Sequence, residues 1–136
     1  MNSIVVSIGS NISAENVRRC LTWLNERFTL IKSSSVYQTP QQHRDLDITT
    51  QAATSNNNSE VRIYSNAVAI YNCNENLEEL NIEFKKYEKE EGRTPEFKKT
   101  GIVPVDIDVV IFNGEIIRTW DYNQRFFKIG FKEIIV

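Results

Sequence analysis

Histidine and cysteine are scarce in this 136-residue sequence, which contains one histidine and two cysteines. Cys20 and Cys73 lack CxxC spacing, and His43 has no second histidine to act with. A structural zinc site takes about four such ligands at set spacings, so the sequence argues against one. We expect two plain thiols and a loop histidine without a metal.

Long hydrophobic runs and a strong charge of either sign are also missing. No stretch approaches the 18 or so apolar residues of a membrane span, and the first residues lack the basic start and apolar region of a signal peptide. We therefore expect a cytoplasmic protein with no membrane partner. The net charge of -2 gives no electrostatic case for nucleic-acid binding, so any phosphate site must be local.

The length and composition are those of an ordinary globular domain. With 40% hydrophobic and 25% charged residues, the chain is predicted to form a single domain over residues 1–136 that buries a core. A stretch rich in Gln, Asn, Ser and Thr runs from Gln41 to Glu60. A loop of this length is either a functional cover or a disordered insertion, and both remain open, as does the oligomeric state.

The pattern of apolar residues predicts the order of helices and strands. Strands are predicted over residues 3–8, 29–38, 61–71 and 103–112, and a final helix over residues 123–134. A helix follows the first strand, with Asn11 or Ser13 as its N-cap. Another follows the third strand, capped by Asn74 or Asn76 and ended by Gly92. This order predicts an α+β fold, a ferredoxin-like split βαβ antiparallel sheet with flanking helices.

Two aspartates interrupt the fourth strand, which is otherwise apolar. Because side chains alternate along a strand, Asp106 and Asp108 point to one face roughly 7 Å apart, and Val105, Ile107, Val109 and Ile111 point to the other. Buried, unpaired carboxylates are unfavourable by several kcal/mol, so this pair needs solvent, basic groups or a cation. Two interpretations follow, a site for a pair of Mg²⁺ ions or a solvated face at the sheet edge.

Charged residues near the second helix offer partners for the aspartates. Glu88 continues the apolar row of Leu80 and Phe84 by one more turn, which places a carboxylate at the end of the face that packs on the sheet. A solvated glutamate is the alternative. The segment 94–100, with Arg93, Lys98 and Lys99 in and beside it, is predicted to be an anion-binding loop.

Several short motifs occur together in one order, and this conjunction resembles a known family. The motifs are Ile8-Gly9-Ser10-Asn11, residues 34–40, Tyr64-Ser65-Asn66-Ala67, residues 88–93 and Asp106-Ile107-Asp108. Together they resemble 6-hydroxymethyl-7,8-dihydropterin pyrophosphokinase, a folate-biosynthesis family. The resemblance implies Mg²⁺- and ATP-dependent transfer of a diphosphoryl group to the hydroxymethyl oxygen of the pterin, with release of AMP. ATP and the pterin are the small-molecule partners that it implies.

The resemblance also implies roles for single residues. Asp106 and Asp108 fall where the family binds two Mg²⁺ ions, Glu88 supports that site, and Arg93 contacts phosphate. The implied pterin-binding residues are Thr39, Pro40, Tyr64, Asn66 and Phe127. The implied nucleotide-binding residues are Arg93, Lys98, Lys99, Val109 and Arg125.

Departures from the family pattern leave the activity open. Val103 stands where the family has a second arginine, Thr100 replaces a tryptophan, and the Pro-His pair after the aspartate strand is absent. Losing one donor to a transition state lowers a rate by about 10²–10³, so a slow enzyme is expected unless Lys98 or Lys99 supplies the contact. The alternatives are a non-catalytic relative that binds pterin or nucleotide, or an unrelated ferredoxin-like domain in which the two aspartates are solvated.

Overall fold

The computed structural model describes residues 1–41 and 62–135, and these form one sheet with helices packed against it. The predicted polar loop beyond Gln41, including His43, lies outside the described residues. Within the described part of the chain, no helix is long and apolar enough to cross a membrane.

The elements follow one another as predicted, with some additions. In chain order they are β1 (Asn2–Ser10), α1 (Ala14–Arg27), β2 (Thr29–Ser33), β3 (Tyr37–Pro40), β4 (Ile63–Cys73), α2 (Leu77–Glu90), α3 (Pro95–Thr100), β5 (Asp106–Phe112), β6 (Glu115–Ile116), α4 (Thr119–Tyr122) and α5 (Arg125–Ile134). The sheet has the order β2-β4-β1-β5-β6, β3 also pairs with β4, and every pairing is antiparallel. The α+β ferredoxin-like architecture is thereby confirmed.

Side-chain alternation gives the sheet two buried faces. One face packs under α1 and α2 around Ile4, Val6, Ile8, Ala67, Ala69, Leu80, Phe84, Ile107 and Val109. The other face is partly covered by α5, where Val5, Val68, Val110, Ile111, Phe127 and Ile134 form a second cluster. Burying apolar area at roughly 25 cal/mol per Å² makes these two layers the main source of stability.

Local polar groups determine where the main helices begin. Ser13 caps α1, its hydroxyl accepting from the Asn16 amide, and Asn76 forms a capping box with Glu79 on α2. Asn11, the other predicted cap of α1, has a different role. Its side chain accepts from the Val103 amide at 2.8 Å and donates to the Gly101 carbonyl at 2.7 Å, and so ties β1 to the segment before β5.

Three secondary-structure predictions are corrected. The strand predicted over residues 29–38 is two strands. They separate at Ser34, because its side-chain hydroxyl accepts the hydrogen bond of the Val68 backbone amide, at 3.0 Å. The predicted loop over residues 94–100 contains α3, whose first residue, Pro95, has a backbone suited to a helix start. The third strand was predicted to end at residue 71, but β4 continues to Cys73, which is buried.

The alternation of side chains along β5 also differs from the prediction after Val109. Val5 pairs with Ile111 and Val6 pairs with Val109, so Val110 is an extra residue, a β-bulge. Ile111 therefore joins Val110 in the second cluster instead of facing the same side as Ile107 and Val109. The bulge lies beyond the two aspartates, which share one face as predicted.

Candidate active site

A cavity of about 200 Å³ lies on the sheet face that carries the two aspartates, and we call it the sheet-face cavity. The sheet supplies its floor from Ser7, Gly9, Thr39, Pro40, Tyr64, Asn66, Asp106 and Asp108. The residues around α4 and the start of α5 supply a wall from Arg118, Trp120, Asp121 and Phe126. The floor is mostly polar, and the wall adds two aromatic rings.

Three neighbouring strands bring the polar floor residues into one row. Gly9 of β1 pairs with Asn66 on one side and with Asp106 on the other. Asn66 is 2% exposed, and its amide donates to the Thr39 hydroxyl at 2.9 Å and to the Tyr64 carbonyl at 3.2 Å. These bonds hold the amide in one orientation, with its carbonyl oxygen toward Gly9, where a side chain would otherwise stand.

A second cavity, of about 410 Å³, lies beyond the edge of β5, and we call it the edge cleft. Its lining residues are Asn81, Phe84, Lys85, Glu88, Lys89, Arg93, Asp106, Ile107, Asp108 and Arg118. Asn81, Lys85 and Lys89 are spaced four residues apart on α2, so they share one side of the helix. The cleft therefore combines lysine and arginine cations with the aspartates.

Glu88 joins α2 to the edge of the aspartate strand. Its carboxylate accepts from the Ile107 backbone amide at 2.9 Å and from Arg93 at 3.1 Å. Arg93 also donates to Asp106 at 2.6 Å. Since the Glu88 side chain is only 12% exposed, the predicted position at the end of the packing face is confirmed. Glu88 thus satisfies a strand-edge donor and positions the arginine.

The charged side chains form a row of ion pairs that is interrupted where two carboxylates are neighbours. Along it the charges alternate from Glu88 to Arg93 to Asp106, and from Asp108 to Arg118 to Asp121. The two halves meet at Asp106 and Asp108, where two carboxylates face each other. Burial, followed by the charge of Asp106, raises the pKa of Asp108 to about 8, and the same two causes raise the pKa of Glu88 to about 7. The junction therefore lacks positive charge.

That junction fits the oxygen-donor chemistry of magnesium. Within residues 1–41 and 62–135, no group of three or more His, Cys, Asp and Glu side chains is arranged to hold a metal ion. Glu88 is committed to Arg93 and to the Ile107 amide, which leaves Asp106 and Asp108 as the protein donors. Mg²⁺ commonly takes one or two carboxylates and completes its octahedron with water and phosphate oxygens, so two donors are sufficient.

The structure brings most of the predicted pterin residues together and separates others from the site. Thr39, Pro40, Tyr64 and Asn66 all line the sheet-face cavity. Phe127 does not line it, because its side chain is fully buried in the second cluster, and Phe126 lies on the cavity instead.

The predicted nucleotide residues are dispersed. Arg93 lines the edge cleft, whereas the Val109 side chain is buried in the first cluster under α1 and α2. Lys98 and Lys99 belong to α3, and Arg125 is an exposed residue at the start of α5. Lys99, Val109 and Arg125 line neither cavity.

Sequence reasoning missed the wall of the sheet-face cavity, above all Arg118, Asp121 and Trp120. A signal for Arg118 existed in the hairpin that follows the aspartates. Its pairs are Ile111 with Ile116 and Phe112 with Glu115, and continuing that register would place residue 118 opposite residue 109, beside Asp108. Arg118 indeed lies 3.7 Å from Asp108. For Trp120 no such register signal existed.

Comparison with models of known protein families shows which family the chain matches. Residues 5–135 match the family described as 7,8-dihydro-6-hydroxymethylpterin-pyrophosphokinase (HPPK). A search of curated proteins finds no match. The matched residues span nearly the whole chain and include both cavities and the aspartate strand.

Proposed function

We propose a specific reaction for this chain, which belongs to the HPPK family and thus to the pyrophosphokinases of folate biosynthesis. In this proposal the protein transfers a diphosphoryl group from ATP to the hydroxymethyl oxygen of 6-hydroxymethyl-7,8-dihydropterin and releases AMP. A bond forms between that oxygen and the β phosphorus, and the bond from the β phosphorus to the oxygen shared with the α phosphorus breaks. AMP keeps the shared oxygen, and the hydroxyl proton passes to water.

One observation carries the proposal: the sheet-face cavity and the edge cleft meet at the aspartate pair. Asp106 and Asp108 line both cavities. A transfer between two substrates needs the acceptor and the donor to meet at one place with the reacting atoms in line. The acceptor would occupy the sheet-face cavity and the nucleotide the edge cleft, so the reacting groups would meet beside the carboxylates.

The sheet-face cavity suits a flat heterocycle with polar edges. Asn66 and Thr39 present an amide and a hydroxyl on the floor, while Trp120 and Phe126 supply aromatic surfaces on the wall, with ring centroids 6.0 Å apart. Burying such polar groups is favourable only when they are paired, so a ligand whose ring edge matches them is strongly selected. We propose that Phe126, with Trp120, takes the stacking role that the resemblance implied for Phe127.

The edge cleft suits the phosphates of ATP. Lys85, Lys89 and Arg93 surround it, and Arg93 is held by Glu88 and Asp106 so that its position is set before substrate arrives. Two Mg²⁺ ions held by Asp106 and Asp108 would offset the charge of the phosphates and of the transition state. The protein's own contribution is to orient the two substrates and to fix the cations around the transferred group.

The reaction is tested by measuring AMP formed from ATP. We expect AMP release that requires both 6-hydroxymethyl-7,8-dihydropterin and Mg²⁺, with a diphosphorylated pterin formed in equal amount. Omitting the pterin controls for simple ATP hydrolysis. If pterin and Mg-ATP bind but no pterin-dependent AMP forms, the chain is the non-catalytic relative and the proposed activity is wrong.

The variant Gly9→Ala tests which cavity holds the pterin. An added Cβ would lie 3.5 Å from the Tyr64 ring and 3.6 Å from the Asn66 side chain, ordinary contact distances, so the fold should tolerate it. The methyl group would occupy space on the cavity floor. We expect pterin affinity to fall by about tenfold or more, which corresponds to roughly 1.4 kcal/mol, while ATP affinity stays within about twofold.

Calorimetric titration of each ligand measures this split. Ala67→Gly, a change of the same size on the opposite face of β4, is the matched control and should leave both affinities unchanged. Equal weakening of pterin and ATP binding in Gly9→Ala would mean that the cavity assignment is incorrect.

A further inference from the structure

Arg118 is the one cationic residue of the described chain that lines both the sheet-face cavity and the edge cleft. The wall common to the two cavities consists of Asp106, Asp108 and Arg118. A group that passes from a donor in one cavity to an acceptor in the other must cross this shared wall. Since the other two residues of the wall are carboxylic acids, the positive charge that faces a transferred phosphate there comes from Arg118.

The backbone of Arg118 is held close to the aspartate strand. The amides of Ile117 and Arg118 both donate to the Val110 carbonyl, at 2.9 and 3.4 Å. Val110 is the bulged residue of β5, so the residue that forms the bulge also holds residues 117 and 118 beside the strand. Arg118 therefore follows β5 closely even though β6 itself ends at Ile116.

The side chain of Arg118 is anchored at one end and open at the other. Its Nε lies 3.3 Å from Asp121, whose side chain is only 8% exposed and is thus a fixed partner. Its Nη1 lies 3.7 Å from Asp108, a longer contact, and the Arg118 side chain is 42% exposed. A guanidinium presents five N–H donors in a planar fork, so holding one edge leaves the other edge free to bind phosphate oxygens.

We propose that Arg118 binds the diphosphoryl group while it is being transferred, with Asp121 as its positioning partner. This inference rests on the proposed function, because it assumes that a diphosphoryl group crosses the shared wall. Mg²⁺ held by Asp106 and Asp108 would offset the charge of these carboxylates, and the Nη1 edge of Arg118, only 3.7 Å from Asp108, would face the phosphate oxygens beside them. Arg93 holds the group from the side of α2, and Arg118 holds it from the side of α4.

The variant Arg118→Met tests this role, because methionine keeps much of the aliphatic chain and removes every donor. We expect kcat for pterin-dependent AMP formation to fall by about 10²–10³. The KM for the pterin should change by less than about threefold. Arg118→Lys keeps the charge without the fork, and it should recover part of the lost kcat. Arg18→Met removes an exposed arginine from α1 and should leave kcat unchanged.

Binding of inorganic diphosphate with Mg²⁺ tests the inference without relying on catalysis. We expect calorimetry to show at least tenfold weaker binding in Arg118→Met than in the wild type, with unchanged pterin affinity and melting temperature. If the wild type forms no AMP but this difference is found, the reaction is wrong and the phosphate site stands. Unchanged diphosphate binding, no binding by the wild type, or equal loss of pterin and diphosphate affinity would overturn the assignment of Arg118.

Discussion

Replacing Asp108 by asparagine is expected to abolish catalysis and to stabilise the fold at the same time. An amide of the same shape removes one of the two anionic oxygen donors proposed for Mg²⁺, so pterin-dependent AMP formation should fall by about 10³ or more. The same change removes a carboxylate whose charge is unfavourable where it lies. Its side chain is 23% exposed and stands against Asp106.

The pH dependence of stability follows from the raised pKa of Asp108, which is about 8 instead of its ordinary 3.8. Between these values the folded chain holds a proton that the unfolded chain has lost, so the contribution of this group to stability falls as pH rises from about 4 to 8. Asp108→Asn does not titrate there. Its advantage over the wild type should therefore be small near pH 4 and grow steadily as the pH rises to 8.

Thermal unfolding at pH 5 and pH 8, with and without Mg²⁺, measures both effects. Mg²⁺ should raise the melting temperature of the wild type, since a ligand that binds only the folded state stabilises it, and should have little effect on Asp108→Asn. Glu115→Gln, which removes an exposed carboxylate from β6, controls for the loss of one negative charge. If Asp108→Asn is less stable than the wild type at pH 8, the aspartate is a structural ion pair of Arg118 and not an electrostatically unfavourable metal ligand.

Much of this site could be predicted because it follows from side-chain periodicity. Alternation along a strand places Asp106 and Asp108 on one face whatever the partners are, and the helical row from Leu80 through Phe84 to Glu88 brings a carboxylate to the strand edge. These relations depend on a few neighbouring residues. The order of elements was predictable for the same reason.

The β-bulge shows where such reasoning ends. Val109, Val110 and Ile111 are all apolar, so the sequence does not indicate at which residue the alternation of side chains between the two faces changes. The bulge is decided by pairing with β1, more than a hundred residues earlier in the chain. The bulged residue also supplies the Val110 carbonyl that accepts from the Arg118 amide, so the exact position of the arginine depends on a feature that its own sequence neighbourhood does not show.

The positive charge of the proposed phosphate site comes from residues that are distant from one another in the chain. Val103 and the absent Pro-His pair suggested that the site lacks some of the groups that bind phosphate in the family. In the folded chain, Lys85 and Lys89 reach the edge cleft from α2, and Arg118 reaches it from the segment after β6. A phosphate site requires positive charge at a position in space, which residues on different elements can provide. Comparing motif positions one by one does not detect such an arrangement.

Phe126 and Phe127 are adjacent, but we expect their substitution to affect different properties of the protein. Helical periodicity puts Phe127, Phe131 and Ile134 on one stripe, and the structure buries Phe127 completely, with its ring 5.0 Å from that of Phe131. Phe126 is about 100° away around the helix and lines the sheet-face cavity near Trp120.

Truncating each ring should therefore affect a different property. Phe127→Ala should lower the free energy of unfolding by about 3–5 kcal/mol, the usual effect of removing a fully buried ring, and much of the protein would then unfold. Phe126→Ala should cost less than about 1.5 kcal/mol of stability, but it should weaken pterin binding by tenfold or more because a stacking surface is lost. Denaturant unfolding and pterin titration measure the two properties separately.

A milder substitution keeps the comparison decisive if Phe127→Ala does not fold. Phe127→Leu retains most of the buried volume, so we expect a folded protein with pterin affinity within about twofold of the wild type. Phe126→Leu removes the aromatic face with the same change in size, and it should bind the pterin markedly less well. If instead Phe127→Leu loses pterin affinity and Phe126→Leu keeps it, α5 must turn when the pterin binds, and the residue implied by the family resemblance is the one that stacks.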